Sequence, residues 1–313
     1  MIKPDSSPFD VITVGDVFVD IVMTGFPAWP QPGEETFAQD LFREAGGGAA
    51  ITACGLARLG ARVGTLAMVG QSDGQWLIER LEQCGVSTSL IHRDANQATA
   101  TTVSVSTARD RSFFTYNGAN ASLIGLLGEP ATREQLCQAS HVHFACPLPP
   151  DLLSGLTELI HAANHTVSID VGWHPEWLTN KACWKALKKI DIFFPNEREA
   201  ELMTGEHNPK AMLQKLGAAG FRRVALKLGE AGSMAWWDEK LVHCPPYPVS
   251  PVDTTGAGDC FNAGVIRGWL DHQPPLRCLR LGNFCGAIST TALGGISAFP
   301  IRSQCNDLWA QDT

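Results

Sequence analysis

A carboxylate follows a glycine turn directly in the run Asp253-Thr254-Thr255-Gly256-Ala257-Gly258-Asp259. Apolar residues at Phe261, Val265 and Trp269 come next at helical spacing, so the turn is predicted to open a helix. The free amides at a helix N-terminus bind anions, above all where glycines let a ligand come close. Asp259 would repel such an anion, unless it accepts the proton of a hydroxyl that attacks a bound phosphate. Spacing alone leaves a second interpretation open, in which Asp259 only favours the helix dipole.

Composition predicts a large folded protein. The chain has 313 residues, of which 44% are hydrophobic and 18% are charged, which is enough for a sizeable core. The formal net charge of −8 argues against nucleic acid or an anionic membrane as the main partner. A phosphorylated ligand stays compatible with this charge, because a phosphate site is built locally from backbone amides and a few cations.

The ten cysteines predict neither a zinc site nor a redox motif, because no two of them have Cys-x-x-Cys spacing. Several, such as Cys54 and Cys285, lie in apolar contexts and are interpreted as small buried side chains of a reducing compartment. The N-terminus lacks the apolar core of a signal peptide, and no apolar run reaches the length of a membrane span. The sequence therefore predicts a soluble, cytoplasmic protein.

Hydrophobic patterning predicts strands and helices that alternate along most of the chain. Strands are predicted at 11–15, 63–69, 142–145, 166–170, 190–194, 224–228, 233–237 and 249–252. Helices are predicted at about 46–60, 74–84, 152–163, 197–203 and 211–219, after residue 259, and at 283–293. This alternation is typical of a mostly parallel sheet that is covered by helices on both faces.

Two early segments, about 16–43 and 98–117, show strand patterns without accompanying helices. The first includes a weakly alternating edge or lid strand at 36–42. The second is typical of a hairpin with a polar turn at Arg109-Asp110. We expect these segments to form a small separate sheet inserted into one α/β body that spans residues 1–313.

Polar residues stand at the ends of several predicted strands, namely Asp170, Asn196, Lys227-Leu228-Gly229 and Asp253. Because ligands of parallel sheets bind at the carboxyl ends of the strands, these residues are expected to converge on one cleft. Asp20, inside a strand pattern, is either an exposed residue or a hydroxyl-binding acid. Gly46-Gly47-Gly48 opens a predicted helix, and these glycines either admit a ligand or serve tight helix–sheet packing.

Several common catalytic motifs are absent. There is no P-loop, and Phe261 stands where a dinucleotide fingerprint needs its third glycine. His92-Arg93-Asp94 imitates a protein-kinase catalytic loop but lacks the downstream Asn and an Asp-Phe-Gly, so it is interpreted as a surface connection. His141 and His143 lie two apart on a predicted strand and are interpreted as structural. A nucleophile elbow, Gly-x-Ser-x-Gly, is missing as well.

With those alternatives removed, the run 253–261 resembles the C-terminal signature of the ribokinase-like (PfkB) family of carbohydrate kinases. Four other segments resemble family motifs in the same order: the glycine stretch 46–60, Gly118-Ala119-Asn120, Asn196-Glu197-Arg198-Glu199, and Lys227-Leu228-Gly229 with Gly232. The resemblance runs from about Val11 to Pro300. It implies an α/β fold, the ribokinase-like three-layer α/β/α sandwich, with a mostly parallel central sheet and a small β-sheet lid.

The resemblance also implies a role for each of these residues. Asp259 would be the general base towards a substrate hydroxyl, and the amides of Gly256, Ala257 and Gly258 would form an anion hole for the transferring phosphoryl group. ATP and Mg²⁺ would be the cofactors, and Glu199 would hold the metal through water, because magnesium keeps much of its hydration. The implied nucleotide-binding residues are Asn196, Lys227, Gly229, Gly232 and Asn283. The implied substrate-binding residues are Asp20, Gly46, Gly47 and Asn120.

Three further properties are implied by the resemblance. Asp253 and Thr255 match positions that help to bind a monovalent cation, usually potassium. The hairpin would be a lid that closes over the substrate and excludes water. Members of the family often form homodimers through this lid sheet.

The chain departs from the family pattern on the substrate side. Ile51 stands where the family usually has an Asn, and Gly48 replaces a lysine of ribokinase itself. Gly172 and His174 stand where an Asn and an Arg are frequent. The sequence therefore predicts an ATP-dependent kinase for a primary hydroxyl of a sugar or sugar acid. A nucleoside kinase of the same superfamily and a sugar-binding regulator without turnover are the alternatives.

Overall fold

Two β-sheets organise the protein, whose computed structural model describes residues 7–107, 111–305 and 308. The strands are Phe9–Gly15 (β1), Phe18–Phe26 (β2), Asp40–Gly46 (β3), Val63–Gly70 (β4), Ile91–Asp94 (β5), Thr101–Thr107 (β6), Arg111–Tyr116 (β7), Ala139–Ala145 (β8), Thr166–Ile169 (β9), Ile192–Phe193 (β10), Arg223–Lys227 (β11), Ser233–Trp237 (β12) and Lys240–Cys244 (β13).

Helices connect most of these strands. They are Gly48–Arg58 (α1), Gln75–Gln83 (α2), Leu123–Gly128 (α3), Pro130–Leu136 (α4), Pro150–Ala162 (α5), Pro175–Thr179 (α6), Lys181–Leu187 (α7), Glu197–Thr204 (α8), Pro209–Ala218 (α9), Ala257–Leu270 (α10) and Pro275–Ser289 (α11). Short 3₁₀ turns lie at Gly118–Ser122 and Gly229–Ala231. Within the described ranges, every helix is too short or too polar to cross a membrane.

The larger sheet has nine strands in the order β13-β12-β11-β10-β9-β8-β1-β4-β5. All pairs from β11 to β5 are parallel, and only β12 and β13 run antiparallel to their neighbours. The predicted mostly parallel sheet is thus confirmed. Its carboxyl edge collects the ends of β1, β8, β9, β10 and β11, which is where ligands of such sheets bind.

Helices cover both faces of this sheet, so the expected three-layer sandwich is confirmed. Strand side chains alternate between the faces: on β1, Val11 packs in one core, and Ile12 and Val14 pack in the other. The first core is closed by α1, α2, α10 and α11, and the second by the helices from α3 to α9. Buried β-branched and aromatic residues fill these strands, as is typical of parallel strands that are covered on both sides.

The smaller sheet has four strands in the order β3-β2-β6-β7. Its strands come from both early segments, as expected. Strand β2 pairs antiparallel with β3 and parallel with β6, and β6 pairs antiparallel with β7. The hairpin turn predicted at Arg109-Asp110 lies outside the described residues.

The register of this lid sheet gives its two faces different chemistry. Paired residues across the strands share a face, so Glu44, Asp20 and Thr102 lie together on one face, beside the row of Phe42, Val22 and Ser104. This inner face contacts the body, where it borders residues 253–255 and 294–295 across a gap of about 30 Å³. The outer face carries the rows Leu41-Met23-Val105 and Arg43-Ile21-Val103-Phe114.

Several predicted elements were wrong, each for a physical reason. Residues 249–252 form no strand, because Pro246, Pro248 and Pro251 remove the amides that a strand pairs with. The lid strand predicted at 36–42 lies at Asp40–Gly46, where seven residues pair with β2. The stretch His92-Arg93-Asp94 is no surface connection; it belongs to β5, the edge strand beside β4.

The last helix begins eight residues earlier than predicted, at Pro275, and it ends at Ser289. Proline fits the first turn of a helix, where an amide has no intrahelical acceptor anyway. Consequently Asn283 lies inside α11 rather than at its start. All ten cysteines are free thiols, and eight of them are buried, as the sequence predicted.

Candidate active site

The glycine turn before α10 forms an N-terminus open to an anion. Gly256 has φ of 71°, and a Cβ there would lie 2.9 Å from Cα of Gly295 and from the Ile51 side chain, so only glycine fits. The Ala257 amide donates to the carbonyl of Thr254 at 3.2 Å. The amides of Gly256 and Gly258 have no acceptor among the described residues. The predicted anion site therefore offers these two amides, while the third is used by the turn itself.

Asp259 lies in the first turn of α10, partly accessible but closely surrounded by protein. Burial and, to a lesser extent, the charge of Asp170 raise the pKa of its carboxyl to about 7, against the opposing effect of Lys227. No side chain of the described residues donates a hydrogen bond to this carboxylate. Gly48, at the start of α1, comes so near that a Cβ there would lie 3.1 Å from Oδ1 of Asp259. The arrangement suits a base that works near neutral pH.

Asp170, just past the end of β9, is the second carboxylate at this edge. Its Oδ2 accepts from Nζ of Lys227 at 2.5 Å and from Nδ2 of Asn262 at 2.7 Å. Its Oδ1 accepts from the amide of Gly172 at 3.1 Å. Burial alone would raise the pKa of Asp170, but the Lys227 ammonium and these donors hold it below its usual value.

Glu199 is the third carboxylate, in the first turn of α8. Its two oxygens accept from the backbone and the side-chain amide of Asn196 at 2.8 and 2.7 Å, and Asn196 caps the helix in return at 2.9 Å. Glu199 is buried, which raises its pKa. Among the described residues there is no cluster of three or more metal-ligating side chains. One carboxylate suits Mg²⁺, which keeps several waters and takes its other ligands from nucleotide phosphates.

A cavity of about 510 Å³ opens beside these groups and runs along α11. Lys227, Gly229, Gly232 and Asn283 all line it, together with Gly258 and the proline-rich loop that follows β13. The predicted nucleotide residues are thus brought together, apart from Asn196, which lies next to Lys227 in an isolated bridge.

Asn283 lines this cavity in a way that the sequence did not predict. Its Nδ2 donates to the carbonyls of Cys244 at 3.2 Å and Pro245 at 2.8 Å. Asn283 therefore fixes the start of the loop at 245–252, and among the described residues no donor to its side-chain oxygen is found. Gly229 and Gly232, with φ of 56° and 85°, make the tight turn between β11 and β12.

On the substrate side, Asp20 packs against the first glycine of the turn before α1. A Cβ on Gly46 would lie 2.0 Å from Oδ2 of Asp20, and a Cβ on Gly47, whose φ is 91°, would lie 2.3 Å from the carbonyl oxygen of Asp16. Burial raises the pKa of Asp20 to about 6, with a further contribution from Glu44. Glycine at position 46 therefore lets the Asp20 carboxylate reach the start of α1.

Asn120, predicted to bind substrate, is buried and holds the backbone of Val17 with both ends of its amide, at 3.3 and 3.2 Å. Asp253, predicted to help hold a cation with Thr255, is buried as well. Its Oδ1 accepts from the amide and hydroxyl of Thr255 at 3.0 and 2.7 Å, and its Oδ2 accepts from the amide of Gly294 at 3.0 Å. Asp253 follows a loop instead of a strand, so its predicted place at a strand end was wrong.

Sequence reasoning missed Asp16 and Asn262. Asp16 directly follows β1 at the carboxyl edge, and burial raises the pKa of its carboxyl to about 6. Its position after a buried strand was a usable signal, of the same kind that singled out Asp170. Asn262 lies in α10, one turn beyond Asp259, and its bond to Asp170 joins elements that are distant in sequence.

The sequence matches the pfkB family carbohydrate kinase description over residues 10–302. It is 29% identical over 269 residues to 2-dehydro-3-deoxygluconokinase of Bacillus subtilis, covering 80% of this chain and 82% of that relative. Ribokinase of Haemophilus influenzae is 27% identical over 299 residues, covering 93% and 95%. Among solved structures, Arabidopsis thaliana ribokinase complexed with ribose and ATP superposes with a TM-score of 0.86 at 25% identity, over 96% of this chain and 98% of that one.

Proposed function

This chain belongs to the pfkB family of carbohydrate kinases and is a phosphotransferase that acts on sugars, and from this premise we propose that it transfers the γ-phosphate of ATP to a primary hydroxyl of a sugar or sugar acid. We take residues 1–313 as one kinase domain, into which the lid strands are inserted. The observation that carries the proposal is the state of the three carboxylates around Lys227. Asp170 and Glu199 accept hydrogen bonds from the side chains of other residues, whereas among the described residues no side chain donates to Asp259.

Asp259 is the group proposed to accept the proton. As the acceptor oxygen forms its bond to the γ-phosphorus, the bond from that phosphorus to the bridging oxygen of ADP breaks, and the hydroxyl proton passes to Asp259. A sugar hydroxyl is too weak an acid to lose its proton beforehand, so a base with a pKa near neutrality suits late transfer. The amides of Gly256 and Gly258 face the developing charge, and Ala257 holds the turn in shape.

The nucleotide is proposed to lie in the 510 Å³ cavity, with Lys227, Gly229 and Gly232 on its phosphate side and Asn283 deeper along α11. Glu199, whose orientation Asn196 fixes, would hold the water shell of Mg²⁺, and the metal would supply positive charge to offset that of the phosphates. Potassium is proposed to bind near Asp253 and Thr255. The buried carboxylate of Asp253 accepts from the hydroxyl of Thr255 and from the amide of Gly294, and so connects these two loops.

The acceptor is proposed to bind between the lid's inner face and the start of α1. Asp20 would bind hydroxyl groups there, together with the backbone of Gly46 and Gly47. Asn120 would hold the nearby backbone of Val17 in place. Asp16 and Asp20 carry raised pKa values, and neither forms an ion pair with another described residue. Two such carboxylates favour hydroxyl groups over a negatively charged ligand, so a neutral sugar is the preferred acceptor.

A coupled assay of ADP release over a panel of neutral sugars, sugar acids and nucleosides tests this function. We expect turnover with a neutral sugar and at least tenfold lower kcat/KM for its acid counterpart. Turnover confined to nucleosides would identify a nucleoside kinase instead. ATP binding without turnover on any polyol would identify a sugar-binding regulator.

We also propose that the protein is a cytoplasmic homodimer joined through the outer face of the lid. On that face Leu41 and Phe114 are more than half exposed, at 67% and 54%, and Trp29 stacks on Phe114 at 6.0 Å. Exposed apolar patches of this kind often mark contact sites. Phe114→Ser is expected to convert a dimer to a monomer in light scattering after size exclusion. Phe37→Ser, at an exposed loop residue, is the control that leaves the mass unchanged; a wild-type monomer would refute the dimer.

A further inference from the structure

One ammonium faces all three carboxylates of the cleft. Lys227 lies at the end of β11, with its side chain 14% exposed. Burial by itself would lower the pKa of Lys227, but the charges of Asp170, Glu199 and Asp259 outweigh this and raise it. Lys227 is therefore a charged lysine at the point where a phosphate would meet the base.

Asp170 holds this ammonium and accepts hydrogen bonds from two further donors. It is 8% exposed, and its two oxygens accept from Lys227, Asn262 and the Gly172 amide. Taking a proton from a substrate would break the 2.5 Å ion pair with Lys227. A buried carboxylate that is fully engaged in this way fixes the groups around it.

The ammonium is held directly above the anion site. Nζ of Lys227 lies 3.5 Å from the position that a Cβ on Gly258 would occupy, over the first turn of α10. Lys227 and Gly258 line the same wall of the nucleotide cavity. An ammonium has three N–H donors, and among the described residues only Asp170 accepts from this one, which leaves donors for phosphate oxygens.

We propose that the Lys227 ammonium contacts the phosphoryl group during transfer, and that Asp170, supported by Asn262, is a positioning residue that holds this ammonium over the N-terminus of α10. The inference rests on the proposed kinase function. It adds a catalytic cation and its support to the glycine amides. The phosphoryl group gains negative charge on its outer oxygens as it moves, so a cation already in place needs no rearrangement at that moment. Asn262 donates to the same oxygen as Lys227, and so fixes the side of Asp170 on which the ammonium lies.

A double-mutant cycle of Asp170→Asn, Lys227→Met and both together tests the proposal, with kcat and the KM of each substrate measured for every protein. Lys227→Met is expected to lower kcat by about 10²–10³-fold, as for removal of one donor to the developing charge. Asp170→Asn is expected to lower kcat by roughly tenfold, while the KM for the sugar stays within about twofold. The double variant should equal Lys227→Met within about twofold, because Asp170 acts only through Lys227.

Losses that multiply in the double variant, or a Lys227→Met enzyme with kcat near that of wild type, would overturn the proposal. Lys227→Arg keeps the charge and is expected to recover at least a tenth of kcat; equal kcat values for Lys227→Arg and Lys227→Met would overturn the proposal. Lys189→Met breaks an exposed pair with Glu158 and is the control, with kcat unchanged. Should Lys227→Met fail to fold, Asp170→Asn with Lys227→Gln removes both charges without leaving one unpaired. Its kcat must fall about 100-fold, and an unchanged kcat overturns the proposal.

Wild-type turnover is measured first, on the sugar that the ADP-release panel identifies. Absence of turnover on every acceptor would refute the proposed function itself. If the wild type turns over, two results would overturn only the roles of Lys227 and Asp170. One is an unchanged kcat in the variants, and the other is losses of kcat that multiply in the double variant.

Discussion

The pH dependence of the proposed kinase follows from the environment of Asp259. A general base acts in its ionised form, and burial raises the pKa of this carboxyl to about 7. At pH 6 about one molecule in eleven would carry the ionised base, and at pH 8 about ten in eleven. We therefore expect the rate to rise roughly tenfold from pH 6 to pH 8.

The assay is the initial rate of ADP release between pH 5.5 and 9 at constant ionic strength. Both substrates are kept well below their KM values, so that the profile reports the free enzyme. Asp20→Asn is the matched control, because the Asp20 carboxyl, with a pKa of about 6, would add a second rise to the pH–rate profile at lower pH. This variant should raise the KM for the sugar and keep the rise in rate near pH 7 that is assigned to Asp259. A rate that changes less than about twofold between pH 6 and 8 would refute Asp259 as a base of this pKa.

Three further predictions concern stability and substrate binding. The pKa of Asp259 is higher in the folded protein than in the unfolded chain, so its ionisation costs stability as pH rises from about 4 to 7. Asp259→Asn should therefore unfold later than wild type in denaturant titrations, by on the order of 2–4 kcal/mol at pH 8 and by little at pH 4. Gly46→Ala places a Cβ 2.0 Å from Oδ2 of Asp20 and should raise the KM for the sugar by at least tenfold in the ADP-release assay. Arg80→Met leaves Glu44 buried without its partner at 2.6 Å and should cost on the order of 3 kcal/mol in chemical unfolding.

Two of these predictions have a matched control variant, and the third is checked by comparing pH 4 with pH 8. For Gly46→Ala it is Gly125→Ala, where a Cβ meets nothing within 4 Å and the KM should not change. For Arg80→Met it is Lys189→Met, which breaks an exposed pair with Glu158 and should hardly change the free energy of unfolding. Equal effects of a variant and its control would contradict the packing argument. A stability gain of Asp259→Asn that is larger at pH 4 than at pH 8 would contradict the sign of the pKa shift.

The sequence predicted the parts of the site that are local. The glycine turn and Asp259 precede a clear helical repeat, and the structure places them at the start of α10. Asn196 and Glu199 are three residues apart, the spacing of a capping box, and they form one. The alternation of buried strands and helices was enough for the three-layer fold, because parallel strands must be covered on both faces.

The parts that depend on distant contacts could not be predicted from one sequence. The pair of Lys227 with Asp170 joins β11 to the end of β9 across β10, a neighbour relation that only the strand order gives. Asn283 was predicted to bind the nucleotide, but its hydrogen bond to the loop after β13, 38 residues away along the chain, could not be predicted. Short helices such as α4 and α6 were missed because five to seven residues show too little periodicity, although each begins at a proline.

The most direct test of the account is the kinase activity of Asp259→Asn on the preferred sugar. The variant keeps the shape of the side chain and removes the base, so ATP binding measured by calorimetry should stay nearly unchanged. We predict that kcat falls by about 10²–10⁴-fold, as expected for loss of a general base. A variant that binds ATP and turns over at a near-normal kcat would contradict the central role of Asp259.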